Sequence, residues 1–276
     1  MTYSELCRRL FAAGIENAQG EAAILLEHFC GIDAMARLSD PEADLTSPEL
    51  EGALQKREAR YPLQYILGEW DFYRQTYEVC PDCLIPRSDT EILVEEAIRL
   101  LPFDARFADL CTGSGCIAIS VLAERPDTSA VALEKFPATL ALACRNAERN
   151  GVANRFSPLR EDLLAPTRPL SDEPLDAILS NPPYIPTSVL PSLAPELSAE
   201  PRAALDGGED GLLFYRAILR DYARYLKPSG FLLLEIGYDQ AEALCSLAPQ
   251  YGFSCVRVLR DYGGQDRVLH LKRLDA

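Results

Sequence analysis

The sequence predicts an α/β protein: a mostly parallel sheet with crossover helices and a C-terminal antiparallel pair, preceded by a small helical bundle. Three observations predict it. From about residue 105 onward, short apolar runs alternate with helix-length stretches, the pattern of parallel strands joined by crossover helices. Residues 1–67 hold only short amphipathic segments with capping residues, which suggests a helical bundle. Two strand-like segments near the end, Ser254–Leu259 and Arg267–Leu271, flank the turn residues Asp261-Tyr262-Gly263-Gly264. The 276 residues allow one large or two modest domains.

Taken in order, Thr2 or Ser4 can cap a first helix with Leu6, Leu10 and Phe11 on its apolar face, ending at Gly14. Asn17 can cap a second, carrying Ala22, Ile24, Leu25, Leu26 and Phe29 and stopping at Gly31. Ser47-Pro48-Glu49-Leu50 opens a third, with proline at the first helical position. Residues 68–86 read as a hairpin linker: Gly68 to Tyr73, then Thr76 to Val79. Residues 87–276 follow as the α/β domain. Ser88 and Glu91 have capping-box spacing ahead of a helix from Ile92 to Leu101, and Arg87 is left without a role by that account. The first strand of the alternating region is Arg106–Leu110 and the second Ser129–Leu133, ending at Glu134. Pro137 opens a long helix that stops before Gly151. A third strand ends near Glu161-Asp162 and a fourth, Leu175–Ser180, runs into Asn181. A helix from about Gly211 to Leu226 and a strand Phe231–Glu235 precede the final pair.

Composition narrows the function. Acidic residues outnumber basic ones by 42 to 27, a net charge of −15. That argues against general attraction to nucleic acid or anionic membrane, which relies on Lys and Arg, while leaving room for a local basic patch. No apolar run is long enough to span a bilayer. Met1-Thr2-Tyr3-Ser4 shows no basic stretch followed by an apolar one, so no signal peptide is read and a cytoplasmic protein is expected. Nine cysteines, an odd number scattered over the chain, do not make a disulfide framework. Cys80-Pro81-Asp82-Cys83 has CxxC spacing but no second pair, and His28 and His270 are far apart, so no metal site is expected.

Two motifs carry the chemistry. Cys111-Thr112-Gly113-Ser114-Gly115-Cys116 lies between a strand and a helix, where glycines let a ligand approach the backbone. Gly113 to Ala118 also fits the dinucleotide fingerprint, with Glu134 about 20 residues on. A nicotinamide or flavin enzyme and any other ribose-bearing cofactor would use such a loop and acid alike. The second motif is Asn181-Pro182-Pro183-Tyr184 at the carboxyl end of the fourth strand, where open α/β sheets bind ligands. The prolines stiffen the loop and leave the carbonyls of Asn181 and Pro182 without a following N–H. The Asn181 side chain accepts and donates, so the site suits a planar group bearing NH₂, with Tyr184 as a flat wall. Asp162, at the end of the third strand, is placed to meet an adenine amino group. Hydride transfer gains nothing evident from a rigid amide-acceptor loop; methyl transfer to an NH₂ group does.

On these residues the chain resembles the class I S-adenosylmethionine-dependent methyltransferases. More closely, it is similar to the protein-glutamine N5-methyltransferases that modify peptide chain release factors, the PrmC/HemK family. The resemblance covers nearly the whole chain. Pro62 to Gly68 looks like the end of that family's helical domain, Leu84 to Glu91 like its interdomain motif, and Asn181 to Tyr184 like its active-site tetrapeptide; Glu200 to Gly208 and Asp261 to Val268 match later segments. It departs from the family at Cys111, where a glycine is usual, so that a positive φ there would strain cysteine, and at Glu134, where Asp is commoner.

The resemblance implies a Rossmann-like, mostly parallel seven-stranded sheet and, as cofactor, S-adenosyl-L-methionine with S-adenosyl-L-homocysteine as product. It implies cofactor contacts from Cys111, Thr112, Gly113, Ser114, Gly115, Glu134, Asp162, Leu163 and Asn181. Catalysis would fall to Asn181, Pro182 and Tyr184, with Pro183 and Arg87 joining them in binding substrate. The implied substrate is the glutamine of the Gly-Gly-Gln motif in class I peptide chain release factors, docked by the domain at 1–67. No membrane and no direct nucleic-acid partner is expected, and a monomer is the expected state. The tetrapeptide is shared with enzymes that methylate adenine or guanine amino groups, which remain the alternative, ahead of a nicotinamide dinucleotide-binding enzyme.

Overall fold

A computed structural model describes residues 1–40, 43–45 and 47–274. The chain divides into two compact units, one of residues Met1–Glu69 with Leu193–Ala199, the other of Trp70–Ser192 with Glu200–Ala276.

The first unit is helical: α1 (Tyr3–Ala12), α2 (Ala18–Cys30), α3 (Ala34–Ser39), α4 (Pro48–Glu58) and α5 (Leu63–Leu67). The caps are those the residue types dictate. Thr2, Asn17, Asp33 and Ser47 each accept a backbone N–H of the following helix, and Gly31 and Gly68 end α2 and α5 in the left-handed conformation. Leu6, Leu10, Leu25, Leu26, Leu50 and Leu54 are fully buried. Phe11, expected on the apolar face, is 73% exposed, because the buried stripe of α1 runs through Leu6 and Leu10 and the next residue turns about 100° away from it.

A hairpin of β1 (Glu69–Phe72) and β2 (Gln75–Glu78) follows, in the second unit from Trp70 on, then α6 (Glu91–Leu100). Ser88 and Glu91 do not form the expected capping box. Ser88–Thr90 is a 3₁₀ turn without a side-chain cap, and the Glu91 carboxylate instead accepts the backbone N–H of Tyr73 at 2.9 Å in the hairpin turn. The remaining elements are β3 (Arg106–Leu110), α7 (Cys116–Glu124), β4 (Ser129–Glu134), α8 (Pro137–Arg149), β5 (Phe156–Arg160), β6 (Leu175–Ser180), α9 (Leu213–Ala217), β7 (Leu226–Glu235), α10 (Ala241–Leu247), β8 (Phe253–Arg260) and β9 (Asp266–Arg273). The helix expected from Gly211 starts at Leu213, because Gly211 sits at φ 73°. It continues past α9 as a π-helical turn, Ile218–Tyr222, and a 3₁₀ turn, Ala223–Tyr225. Leu226 already belongs to β7, which therefore starts earlier than the expected Phe231.

Seven strands form one sheet in the order β5-β4-β3-β6-β7-β9-β8. The first five are parallel, and β9 runs antiparallel between β7 and β8. Strand order reverses beside β3: the chain steps outward through β4 and β5, then returns to β6 on the other side. Such a switch point opens a crevice at the carboxyl ends of the strands. Because helices cover both faces, the central strands β3, β4 and β6 and the second half of β7 are mostly apolar and buried. Side chains alternate between two cores: Phe107, Ala177, Leu179, Phe231 and Leu233 enter one, and Ala108, Ile178, Leu232 and Leu234 the other. Cys245 of α10 and Cys255 of β8, with Cα atoms 5.4 Å apart, are joined by a disulfide, one cross-link that the scattered cysteine spacing does not foretell. No helix among the described residues is long and apolar enough to cross a membrane.

Candidate active site

A cavity of about 440 Å³ opens at the carboxyl ends of β3, β4, β5 and β6 in the second unit. Its walls include Cys111 to Ser114 after β3, Glu134 at the end of β4, Asp162 and Leu163 after β5, and Asn181 and Pro183 after β6. Residues distant in sequence converge because parallel strands all present the same end to the same crevice. Arg87 and Thr90, ahead of α6, also line it. Of the residues singled out from the sequence, Gly115, Pro182 and Tyr184 are not among the lining residues.

The glycine loop is held from below and behind. Cys111 has φ 60°, so this non-glycine residue occupies the left-handed region. Gly113 and Gly115 follow at φ 58° and 83°. The buried Asp109 accepts from Thr112 Oγ1 at 2.6 Å and from the Ala118 N–H at 3.2 Å, fastening the loop to α7. Burial pushes the Asp109 carboxyl up to about 7. Asn146 of α8 is fully buried; its amide donates to the carbonyls of Ser114 at 3.0 Å and Glu78 at 3.1 Å and accepts the Glu78 N–H at 2.7 Å. Glu134 Oε2 accepts the Gly113 N–H at 3.2 Å and Oε1 the Phe136 N–H at 2.9 Å. Burial raises its carboxyl above the ordinary range, and those backbone donors oppose the rise. Asp162 is paired with Lys135 at 2.8 Å and accepts the Leu164 N–H at 3.0 Å.

The Asn181–Tyr184 loop is anchored on three sides. Asn181 Nδ2 donates to Thr90 Oγ1 at 3.2 Å, and Thr90 Oγ1 donates to Glu235 Oε2 at 2.6 Å. Gln240 Nε2 donates to the Tyr184 carbonyl at 2.9 Å. Ile185 exchanges backbone hydrogen bonds with Leu205 and Gly207 at 3.0 and 2.8 Å. Gly207 lies so close that a Cβ there would come within 2.7 Å of the Tyr184 backbone. Tyr184 itself packs against the core rather than standing in the cavity wall, and burial pushes its phenol up to about 12 despite the favourable Arg267 and Arg87 nearby. Arg87 forms an ion pair with Glu200, whose other oxygen accepts the Ile85 N–H at 3.1 Å.

Sequence reading overlooked Thr90, Asp109, Asn146, Glu200, Glu235 and Gln240. Glu235 carried a usable signal: a carboxylate ending the apolar run Phe231-Leu232-Leu233-Leu234 at the cavity end of a parallel strand. Asn146 carried none, being one polar residue within an amphipathic helix.

A doubly wound sheet with a glycine loop after its first parallel strand and an amide-bearing Pro-rich loop after its fourth defines a methyltransferase. Residues 88–217 match the methyltransferase small domain, and residues 3–68 match the PrmC N-terminal domain. A methyltransferase from Pyrococcus furiosus shares the fold with a TM-score of 0.54 at 17% identity, over 72% of this chain and 89% of that one. The chain belongs to the release factor glutamine methyltransferase family. It is 43% identical over 260 residues to the release factor glutamine methyltransferase of Geobacter sulfurreducens, covering 93% of this chain and 90% of that one. With the Cereibacter sphaeroides protein of the same name it shares 44% identity over 266 residues, 95% and 93% of the two chains. These relatives do not favour the nucleic-acid or nicotinamide alternatives.

Proposed function

We propose that the protein transfers a methyl group from S-adenosyl-L-methionine to the side-chain amide nitrogen of the glutamine in the Gly-Gly-Gln motif of class I peptide chain release factors. The N–C bond forms as the C–S bond breaks, S-adenosyl-L-homocysteine leaves, and the amide nitrogen gives up a proton. Membership of the family and the cavity's chemistry support this reading. The cavity has a size usual for small-molecule sites. Gly113 offers bare backbone in its wall, and Glu134 and Asp162 bring acceptors from successive strand ends, as ribose hydroxyls and an adenine amino group require. When bound, the cofactor supplies an electrophilic methyl on a sulfonium.

The chain's own residues do the rest by orientation. An amide nitrogen is a poor nucleophile because its lone pair is delocalised. The observation that carries the proposal is the Asn181 amide: its NH₂ is committed to Thr90, which leaves the side-chain oxygen to accept from a substrate NH₂. The Pro182 carbonyl, followed by proline and so without an adjacent N–H partner, is the second acceptor. Together they aim the nitrogen at the methyl and favour its rehybridisation, an effect of orientation that supplies several kcal/mol. Tyr184, packed against the core, stiffens the loop that carries these acceptors. Arg87, steadied by Glu200, takes part in binding the substrate backbone. The helical unit at 1–67 docks the release factor.

Mass spectrometry of a purified release factor after incubation with the protein and S-adenosylmethionine tests this. The expected result is one added methyl on the Gly-Gly-Gln glutamine, abolished by Asn181→Ala while cofactor affinity is largely kept. An Asn181→Ala variant with wild-type kcat would overturn the assigned role, and an unmodified glutamine with cofactor bound would overturn the substrate.

A further inference from the structure

From Asn181 a chain of hydrogen bonds runs through Thr90, in the cavity wall, to a buried carboxyl outside the lining. Thr90 Oγ1 lies 2.6 Å from Glu235 Oε2 and 3.2 Å from Asn181 Nδ2. Thr90 and Glu235 are both all but inaccessible to water, at 2% and 1% exposure. We infer that Glu235, acting through the Thr90 hydroxyl, is a positioning residue that sets which way round the Asn181 amide faces. The inference deepens the methyl-transfer reading and rests on it for its kinetic consequence.

The argument is a count of hydrogens. An ionised carboxylate can only accept. Thr90 must therefore spend its single hydroxyl hydrogen on Glu235, and its oxygen is left with lone pairs alone. Only the NH₂ of Asn181 can complete the second contact, so the Asn181 oxygen is turned to the substrate. Protonation of Glu235 removes the constraint. The acid can donate to Thr90, whose hydrogen is then free for the Asn181 oxygen, and the amide can turn over. Its NH₂ would then confront the substrate NH₂, two donors with no acceptor between them.

The groups facing Glu235 fit this role. Asp89 and Thr90 approach from the 3₁₀ turn before α6, Cys116 from the start of α7, Asn181 and Tyr184 from the loop after β6, Tyr215 from α9 and Arg267 from β9. Arg267 is held by Asp261 at 2.9 Å and Asp89 at 3.4 Å. The Tyr215 hydroxyl donates to the Glu235 carbonyl at 2.7 Å and fixes the strand end. Burial keeps the Cys116 thiol and the Tyr184 phenol near 12 and the Tyr215 phenol well above its ordinary value, so all three stay neutral around pH 7. Burial likewise lifts the Glu235 carboxyl, to about 7, against the opposing pull of Thr90, Arg267 and Asn181. Its charge, and with it the amide orientation, changes near pH 7.

The test measures kcat for methyl transfer against pH, together with cofactor Kd, for wild type, Thr90→Val, Thr90→Ser and Glu235→Gln. Side-chain amide NMR of Asn181, assigned by its loss in Asn181→Ala, is followed over the same range. Thr90→Val should lower kcat by about 10²-fold, as misplacement of an orienting group does, with little change in cofactor Kd. Thr90→Ser, which keeps the hydroxyl, should recover most of that loss. Wild-type kcat should fall as pH drops through about 7. Glu235→Gln, which does not titrate, should lack that limb. A Thr90→Val variant with wild-type kcat, or an acidic limb that survives Glu235→Gln and so belongs to Asp109 or another group, would overturn the inference. If wild type transfers no methyl, the functional reading fails on its own. The Asn181 resonance then decides: a shift centred near 7 that Thr90→Val abolishes supports the coupling, and a flat titration overturns it.

Discussion

At the scale of single residues, the site is built from exceptions to ordinary preference. Cys111 is held at φ 60°, where a side chain costs on the order of 1–3 kcal/mol, at the point where the chain must turn out of β3. Its side chain lines the cavity and packs against the core, which offsets part of the strain. Two substitutions separate these effects. Cys111→Gly relieves the strain but loses packing and adds unfolded-state freedom, so its stability in urea should stay within about 1 kcal/mol of wild type. Cys111→Val places a β-branched residue in the same conformation and should cost about 2 kcal/mol or more. Equal stability of the two variants would mean that the backbone there is not under strain. Gly207 is the complementary case: its φ lies outside the left-handed region, and glycine is required because the backbones of Tyr184 and Gly211 would come within 2.7 and 2.9 Å of a Cβ there.

At the scale of elements, α8 does more than cross between β4 and β5. Through Asn146 it joins β2 to the glycine loop, with three hydrogen bonds from one buried amide. Asn146→Ala would leave the Ser114 carbonyl and both backbone groups of Glu78 without that partner. At about 1–3 kcal/mol for a stranded buried group, and with some relaxation, a loss of about 2–4 kcal/mol in thermal unfolding is expected. Cofactor Kd should rise as well, because Ser114 belongs to the loop. A drop in stability with unchanged Kd would show that the loop holds its shape without α8. The same tie explains why the hairpin's Glu78 also pairs with Arg145 of α8 at 2.8 Å, one turn of contact giving both a backbone and an ionic link.

For the whole molecule, the division into units does not follow chain order. Leu193–Ala199 lies far along the sequence yet belongs to the first unit. There Glu196 meets Arg57 at 3.2 Å and Arg60 at 2.7 Å, and Arg57, 6% exposed, also holds Glu21 of α2 at 2.6 Å. Removing Arg57 takes that partner from Glu21, while Glu196 keeps Arg60. Arg57→Ala should therefore cost the first unit about 3–5 kcal/mol. Hydrogen exchange on the full chain should show α2 and α4 losing protection; full protection in those helices would show the ion cluster to be dispensable.

The sequence by itself determined the alternating α/β pattern, the capped helices before it, and the Gly113 and Asn181 motifs at strand ends. Those features are local: caps, prolines, glycines and apolar periodicity act over a few residues and are written in neighbouring positions. It also determined that Cys111 departs from expectation, and the positive φ now gives that departure a physical meaning. Only the tertiary structure decided which groups meet. Glu91 serves the hairpin instead of its own helix cap, and Arg87 is engaged by Glu200. Thr90 and Glu235, 145 residues apart, share a hydrogen bond beside Asn181. A buried polar group must find a partner wherever the fold supplies one, and no periodicity along the chain says where that is.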